Sequence, residues 1–81
     1  MTITVRYFGP VREMFAVDAE ELEVPEGTTV ADLRKMLSSR PTRFSDLSGA
    51  IRFAINLEYA LEGDEIPAGG EVAVIPPVAG G

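Results

Sequence analysis

The C-terminal part of the sequence joins a strand-like run to a segment that cannot continue a sheet. Residues 71–75, Glu-Val-Ala-Val-Ile, are rich in the β-branched residues that favour strands. Pro76 and Pro77 follow, and because proline has no backbone N–H and a fixed φ, the pair cannot extend a central strand. The pattern therefore predicts a folded domain over residues 1–75 and an extended tail over residues 76–81.

The tail carries little side-chain bulk beyond its two prolines. It closes with Gly80 and Gly81, and glycine allows the closest approach of a backbone to a partner. A chain of this kind can insert the carboxylate of Gly81 into a channel that is too narrow for side chains. A frayed terminus and a cloning remnant are the alternative interpretations. The residues expected to enter such a channel together with Gly81 are Pro76, Pro77, Val78, Ala79 and Gly80.

Length and charge limit the partners of the chain. Its 81 residues are enough for one domain, and no apolar run approaches the ~18 residues of a membrane span. The net charge of −6 argues against nucleic acid, whose phosphates would be repelled, and favours a partner with a basic surface. We expect a cytoplasmic protein that binds neither nucleic acid nor membranes.

The sequence contains no cysteine and no histidine. It therefore lacks a thiolate nucleophile, a thiolate metal site and an imidazole base. A nucleophilic triad built from the remaining serine and acidic residues would have no base. We expect no metal site, no permanently bound cofactor and no independent catalysis.

The N-terminal part of the chain has the pattern of a β-hairpin. Residues 2–8 alternate with a period of two, which places Ile3 and Val5 on the core face and Phe8 on the opposite face. Residues 20–24 form a second predicted strand, and we expect the two strands to pair in antiparallel orientation.

A helix is predicted to follow over residues 30–39. Thr29 and Asp32 have the spacing of a capping box at its start. Arg34 and Lys35 are expected to point away from the core. The helix residues expected in the core are Val30, Leu33 and Leu37.

The remaining strands complete an α+β pattern. Residues 51–55 and 71–75 are predicted strands, with a short hairpin over residues 56–63 between them. This order predicts a β-grasp, ubiquitin-like roll: a mixed sheet with one main helix packed on one face and the first and last strands parallel in its centre. Phe8 and Ile75 would then share the face opposite the helix, as an exposed apolar patch of the kind that marks a partner surface.

Three stretches of the sequence also carry recognisable motifs. They are residues 5–13 (Val-Arg-Tyr-Phe-Gly-Pro-Val-Arg-Glu), 53–56 (Phe-Ala-Ile-Asn) and 70–81 (Gly-Glu-Val-Ala-Val-Ile-Pro-Pro-Val-Ala-Gly-Gly). With them the chain resembles, over nearly its whole length, the small subunit of molybdopterin synthase, the MoaD-like sulfur carriers. The Pro-Pro-Val-Ala-Gly-Gly ending is the specific motif. The sequence departs from the family at Gly70, where aspartate is usual before Glu71.

The resemblance implies that the chain is a sulfur carrier without catalytic groups of its own. An adenylyltransferase of the ubiquitin-activating type would join AMP from ATP to the Gly81 carboxylate, and a sulfur donor protein would convert the acyl adenylate into a thiocarboxylate. The tail would then enter the large subunit of molybdopterin synthase and donate sulfur to cyclic pyranopterin monophosphate in molybdenum cofactor biosynthesis. The implied assembly is a heterotetramer of two small and two large subunits.

Three other functions stay open. A thiamin-type sulfur carrier shares the fold and the Gly-Gly end, a ubiquitin-like modifier would join Gly81 to a lysine of a target protein, and a plain interaction domain would not need Gly81. The interface with the large subunit is predicted from strand parity for Phe8 and Ile75, and from the resemblance for Tyr59. The complete set of predicted interface residues is Phe8, Tyr59, Ile75 and Val78.

Overall fold

A mixed five-stranded sheet and three helices make up the fold in the computed structural model, which describes residues 1–77. The strands are β1 (Thr2–Tyr7), β2 (Ala19–Glu23), β3 (Arg52–Ile55), β4 (Glu58–Tyr59) and β5 (Glu71–Ile75). The helices are α1 (Gly9–Phe15), α2 (Val30–Ser38) and α3 (Phe44–Leu47), and a 3-10 turn covers Ser48–Ala50.

The sheet has the strand order β2-β1-β5-β3-β4. β1 pairs with β2 in antiparallel orientation and with β5 in parallel orientation, so that Val5 lies opposite Val72. β5 also pairs with β3 in antiparallel orientation, with Phe53 opposite Val74. The predicted hairpin, the central parallel pair and the β-grasp topology are therefore confirmed.

The core lies between one face of the sheet and the helices. Alternate residues of β1 and β5 are fully or almost fully buried, as the period of two predicted. The same core includes the predicted stripe of α2 and one residue each from α1 and α3. The residues at its centre are Ile3, Val5, Tyr7, Val11, Val30, Leu33, Leu37, Phe44, Phe53, Val72 and Val74.

The start of α2 is fixed by the predicted capping box. The Asp32 N–H donates to Thr29 Oγ1 at 3.2 Å, and the Thr29 N–H donates to Asp32 Oδ2 at 3.0 Å. Two backbone donors that have no partner inside the helix are satisfied in this way. Hydrogen bonding with Thr29, chiefly the bond donated by the Thr29 N–H, lowers the pKa of the Asp32 carboxyl below its ordinary value.

Arg34 lies outside the core, as predicted, but its side chain is not free in solvent. Its guanidinium makes a two-bond contact with the Glu62 carboxylate, at 2.9 Å and 2.6 Å, and it donates to the Ile51 carbonyl at 2.9 Å. It also lies 4.9 Å from the centre of the Phe53 ring. A position at the edge of the apolar stripe allows a long side chain to fold back along the protein surface with its charged end paired.

A cluster of polar and aromatic side chains forms around the segment that follows α2. We call the side chains of Tyr7, Phe15, Glu20 and Arg40 the Arg40 cluster. Glu20 accepts hydrogen bonds from Arg40 Nη1 at 2.7 Å and Nη2 at 3.0 Å, and from the Tyr7 hydroxyl at 2.7 Å. The Arg40 guanidinium lies 5.0 Å from the centre of the Phe15 ring.

The titration properties of the Arg40 cluster follow from these contacts. The hydrogen bonds from Arg40 lower the pKa of Glu20, and the same bonds raise the pKa of Arg40. Burial raises the pKa of the Tyr7 hydroxyl, and its bond to Glu20 acts in the same direction. The cluster thus links β1, β2 and the segment that follows α2 through one ionised carboxylate.

Candidate partner-binding groove at the tail base

β5 is the central strand, and its end sets the position from which the tail leaves. Ile75 is its last residue and lies opposite Arg52 of β3. Pro76 and Pro77 lie outside the strand, as expected for residues that cannot pair on both sides. Pro76 and Pro77, which we call the tail base, therefore follow a strand that has a hydrogen-bonded neighbour on each side.

Gly9 packs against the first residue of the tail. Its φ is +54°, and a Cβ placed on it would lie 3.3 Å from Pro76 Cγ. Glycine adopts this conformation without strain and leaves room for the proline ring. The start of α1 therefore lies directly beside the Pro76 ring.

Asn56 forms two hydrogen bonds with Glu71, the first residue of β5. Its side-chain oxygen accepts from the Glu71 N–H at 3.0 Å, and its own N–H donates to the Glu71 carbonyl at 2.8 Å. Asn56 and Leu57 form the two-residue connection between β3 and β4, and both have positive φ, 49° and 74°. This is the conformation of a type I′ turn.

An apolar groove lies on the sheet face opposite the helices, next to the tail base. Its volume is about 360 Å³, and no aspartate, glutamate, lysine or arginine lines it. A second depression shares Tyr59 and Ile75 with it and extends along Arg52 to Pro76 and Pro77. We use the name apolar groove for the first of these, which is lined by Phe8, Ala54, Leu57, Tyr59, Ala73 and Ile75.

Several groove side chains are exposed although they are apolar. Phe8 is 47% exposed, Tyr59 is 71% exposed and Leu57 is 91% exposed. Two arginines border this face of the sheet: Arg6 forms a 3.0 Å ion pair with Glu71, and the Arg52 guanidinium lies 5.9 Å from the centre of the Tyr59 ring. An apolar surface of this kind, with charge only at its border, is typical of a protein-binding site.

The structure brings three of the predicted interface residues together. Phe8, Tyr59 and Ile75 line the same groove, at the place where the tail begins. Leu57 was not predicted, although its position directly after Asn56 in a short hairpin could have indicated it. The predicted tail residues Val78, Ala79, Gly80 and Gly81 lie outside the described residues.

The rest of the described surface offers less that could be a site. A larger open cleft of about 520 Å³ lies between α2 and residues 25–28, and no predicted site residue lines it. Within residues 1–77, no three acidic side chains are arranged to hold a metal ion. None of the helices in this part of the chain has the length and apolar character needed to span a membrane.

Comparison with known proteins finds relatives over almost the whole chain. The model of the ThiS family matches residues 5–81. A relative from Mycobacterium tuberculosis named molybdopterin synthase sulfur carrier subunit is 39% identical, with 98% of this chain and 96% of that protein covered. The human protein of the same name is 34% identical, with 98% and 93% covered.

A solved structure adds a second kind of relative. The crystal structure of SAMP1, the small archaeal modifier protein 1 of Haloferax volcanii, has a TM-score of 0.82 at 27% identity, and both chains are covered completely. Its likeness extends over the whole β-grasp fold.

Proposed function

The chain belongs to the ThiS family, and on that premise we propose that it is the sulfur carrier subunit of a molybdopterin synthase. The proposal is supported by relatives of that name that match almost the whole chain at 34% and 39% identity. The single structural observation that supports it best is the apolar groove at the base of the Pro76-Pro77 segment. A protein that binds this groove would be in a position to bind the tail as well.

The proposed chemistry takes place on the Gly81 carboxylate. A carboxylate resists attack because its charge is delocalised over two oxygens. Attack of one oxygen on the α-phosphorus of ATP expels pyrophosphate and gives an acyl adenylate, which has a good leaving group. A donor that supplies sulfur at the oxidation level of sulfide then displaces AMP and leaves a thiocarboxylate.

The sulfur would next be transferred to a pterin substrate. The thiocarboxylate sulfur forms a bond to a carbon of cyclic pyranopterin monophosphate as a carbon–oxygen bond at that carbon breaks and the oxygen leaves protonated. Water then cleaves the acyl–sulfur bond, which restores the Gly81 carboxylate and leaves a thiol on the pterin. This chain contributes no cysteine and no histidine to any of these steps. The catalytic groups are therefore proposed to belong to the activating enzyme and to the large subunit.

The large subunit is the proposed partner of the apolar groove. Phe8, Tyr59 and Ile75 would pack against it and align the tail with its active site. Pro76 and Pro77 limit the conformations of the free tail, so less conformational entropy is lost when the tail enters a channel. Two small and two large subunits form the proposed assembly.

A protein modifier is the second candidate function, and the likeness to SAMP1 favours it. In that role Gly81 would form an amide with a lysine of a target protein instead of receiving sulfur. The fold and the Gly-Gly end serve both chemistries, because both begin with an activated carboxylate.

Mass spectrometry of the chain isolated from its own cells tests the proposal. A sulfur carrier gains the mass difference between sulfur and oxygen at Gly81, whereas a modifier yields peptides in which Gly81 is attached to lysine side chains. Deletion of Gly81 should abolish sulfur transfer and leave the melting temperature unchanged. If the deleted chain still supports transfer, the proposed role of the terminus is wrong.

A further inference from the structure

Leu57 occupies a position for which leucine is poorly suited. It is the second residue of the β3–β4 turn, where its φ is +74°. Leucine is strained in this left-handed region because its Cβ approaches the following carbonyl oxygen. Two-residue turns of this type strongly prefer asparagine followed by glycine. Asn56 fits the preference and Leu57 does not.

The side chain of Leu57 does not compensate for this strain inside the chain. It is 91% exposed, the highest value among the large apolar residues of the described part of the chain that are exposed. An exposed leucine gains almost nothing from burial in the free protein. A strained and exposed apolar residue is accounted for when its contact is made with another molecule.

The location of Leu57 indicates which molecule this is. Both Leu57 and Ile75 line the apolar groove. Leu57 follows Ile55, which pairs with Val72 near the start of β5, whereas Ile75 ends β5 and leads directly into Pro76 and Pro77. A protein that binds the tail and also covers the whole groove would therefore reach the β3–β4 turn. The six lining residues carry no charge, so the matching surface must be apolar at its centre.

We propose that Leu57 is the anchor residue by which this chain binds the large subunit of its molybdopterin synthase, and that the turn holds it in the left-handed conformation in order to project it into an apolar pocket of that subunit. The inference rests on the proposed function. It adds a specificity-determining residue outside the tail and outside the predicted interface residues.

The test uses the full-length chain and its purified large subunit. Binding is measured by calorimetry and stability by thermal unfolding, for the parent, Leu57→Gly and Leu57→Asn. Glycine and asparagine both tolerate positive φ, so each variant relieves the strain while it removes the apolar side chain. Leu61→Asn is the matched control, because Leu61 is 76% exposed and does not line the groove.

The expected result separates stability from binding. Both Leu57 variants should melt at or above the temperature of the parent, and both should bind the large subunit about tenfold to a hundredfold more weakly, as expected when a leucine is no longer buried. Leu61→Asn should bind like the parent.

Two results would overturn the inference. Variants of Leu57 that bind as tightly as the parent would show that the residue is not an anchor. A lower melting temperature for both variants would show that Leu57 stabilises its own hairpin instead. If the parent itself does not bind the large subunit, the proposed function fails as well, so the two failures can be told apart.

Discussion

Replacing Glu20 with glutamine tests whether the Arg40 cluster stabilises the fold through charge. The substitution keeps the size of the side chain and one oxygen that can accept a hydrogen bond. It removes the negative charge that receives three hydrogen bonds, two from Arg40 and one from the Tyr7 hydroxyl. The new amide N–H₂ would in addition face donors instead of acceptors.

The magnitude follows from the two bonds to Arg40. A hydrogen bond to a charged group contributes about 1.5–3 kcal/mol, and one between neutral groups contributes about 0.5–1.5 kcal/mol. Glutamine keeps one acceptor oxygen, so one of the two bonds to Arg40 is lost and the other loses its ionic partner, which would reduce the free energy of unfolding by about 2–3 kcal/mol. Arg40 and Glu20 keep 31% and 26% of their side-chain surface exposed, and solvent screening reduces the expected loss to about 1–2 kcal/mol.

Thermal and urea unfolding measure this loss. For a domain of this size the melting temperature should fall by about 5–15 °C. The pKa of Glu20 in the folded state is lowered from 4.5, chiefly by the hydrogen bonds from Arg40. Its charge therefore contributes fully above that value, and the contribution is lost as the pH falls through the folded pKa. The difference in the free energy of unfolding between parent and variant should be constant near neutral pH and should disappear in acid.

Glu21→Gln is the control for the change in net charge. Glu21 is exposed on the same strand, and the substitution removes one negative charge in the same way. It should leave the free energy of unfolding within about 0.5 kcal/mol of the parent. The reasoning is refuted if Glu20→Gln is as stable as Glu21→Gln at pH 7, or if its deficit stays unchanged in acid.

Three further substitutions test separate parts of the structure. Phe8→Glu places a charge in the apolar groove, so it should weaken binding to the large subunit in calorimetry without lowering the melting temperature; unchanged affinity would contradict the groove assignment. Asn56→Ala removes the side-chain bond to Glu71 and a residue that tolerates positive φ, so urea unfolding should show a loss of about 1–3 kcal/mol. Thr29→Ala removes the helix cap and should reduce the free energy of unfolding by about 1 kcal/mol, whereas an unchanged urea midpoint would show that the cap is dispensable.

The fold could be predicted because its determinants lie in short sequence patterns. The alternation of apolar residues in β1 reports which side chains are buried, since neighbouring residues of a strand point to opposite faces. The same alternation predicted that Phe8 and Ile75 lie on one face of the sheet, although they are far apart in the sequence. The capping box of α2 was predictable because its hydrogen bonds join residues only three positions apart.

The features that sequence patterns missed depend on contacts between distant segments. Arg34 meets Glu62 because α2 crosses the sheet near the segment that follows β4, and helical spacing alone gives no information about that neighbour. The packing of Gly9 against Pro76 likewise exists only because β1 and β5 are adjacent and parallel. The strain at Leu57 depends on the length of the β3–β4 turn, which the sequence left undetermined between residues 56 and 63.

The arrangement of the sheet separates the residues that stabilise the domain from those that are available for a partner. One face of β5 places Val72 and Val74 in the core, where neither retains any exposed surface. The other face places Ala73 and Ile75 in the apolar groove, which takes no part in the core. Because the two sets of residues alternate along one strand, substitutions at Ala73 or Ile75 can change the affinity for a partner while Val72 and Val74 keep β5 in place. The central position of β5, with a paired strand on each side, supports Pro76 and Pro77 where they leave the sheet.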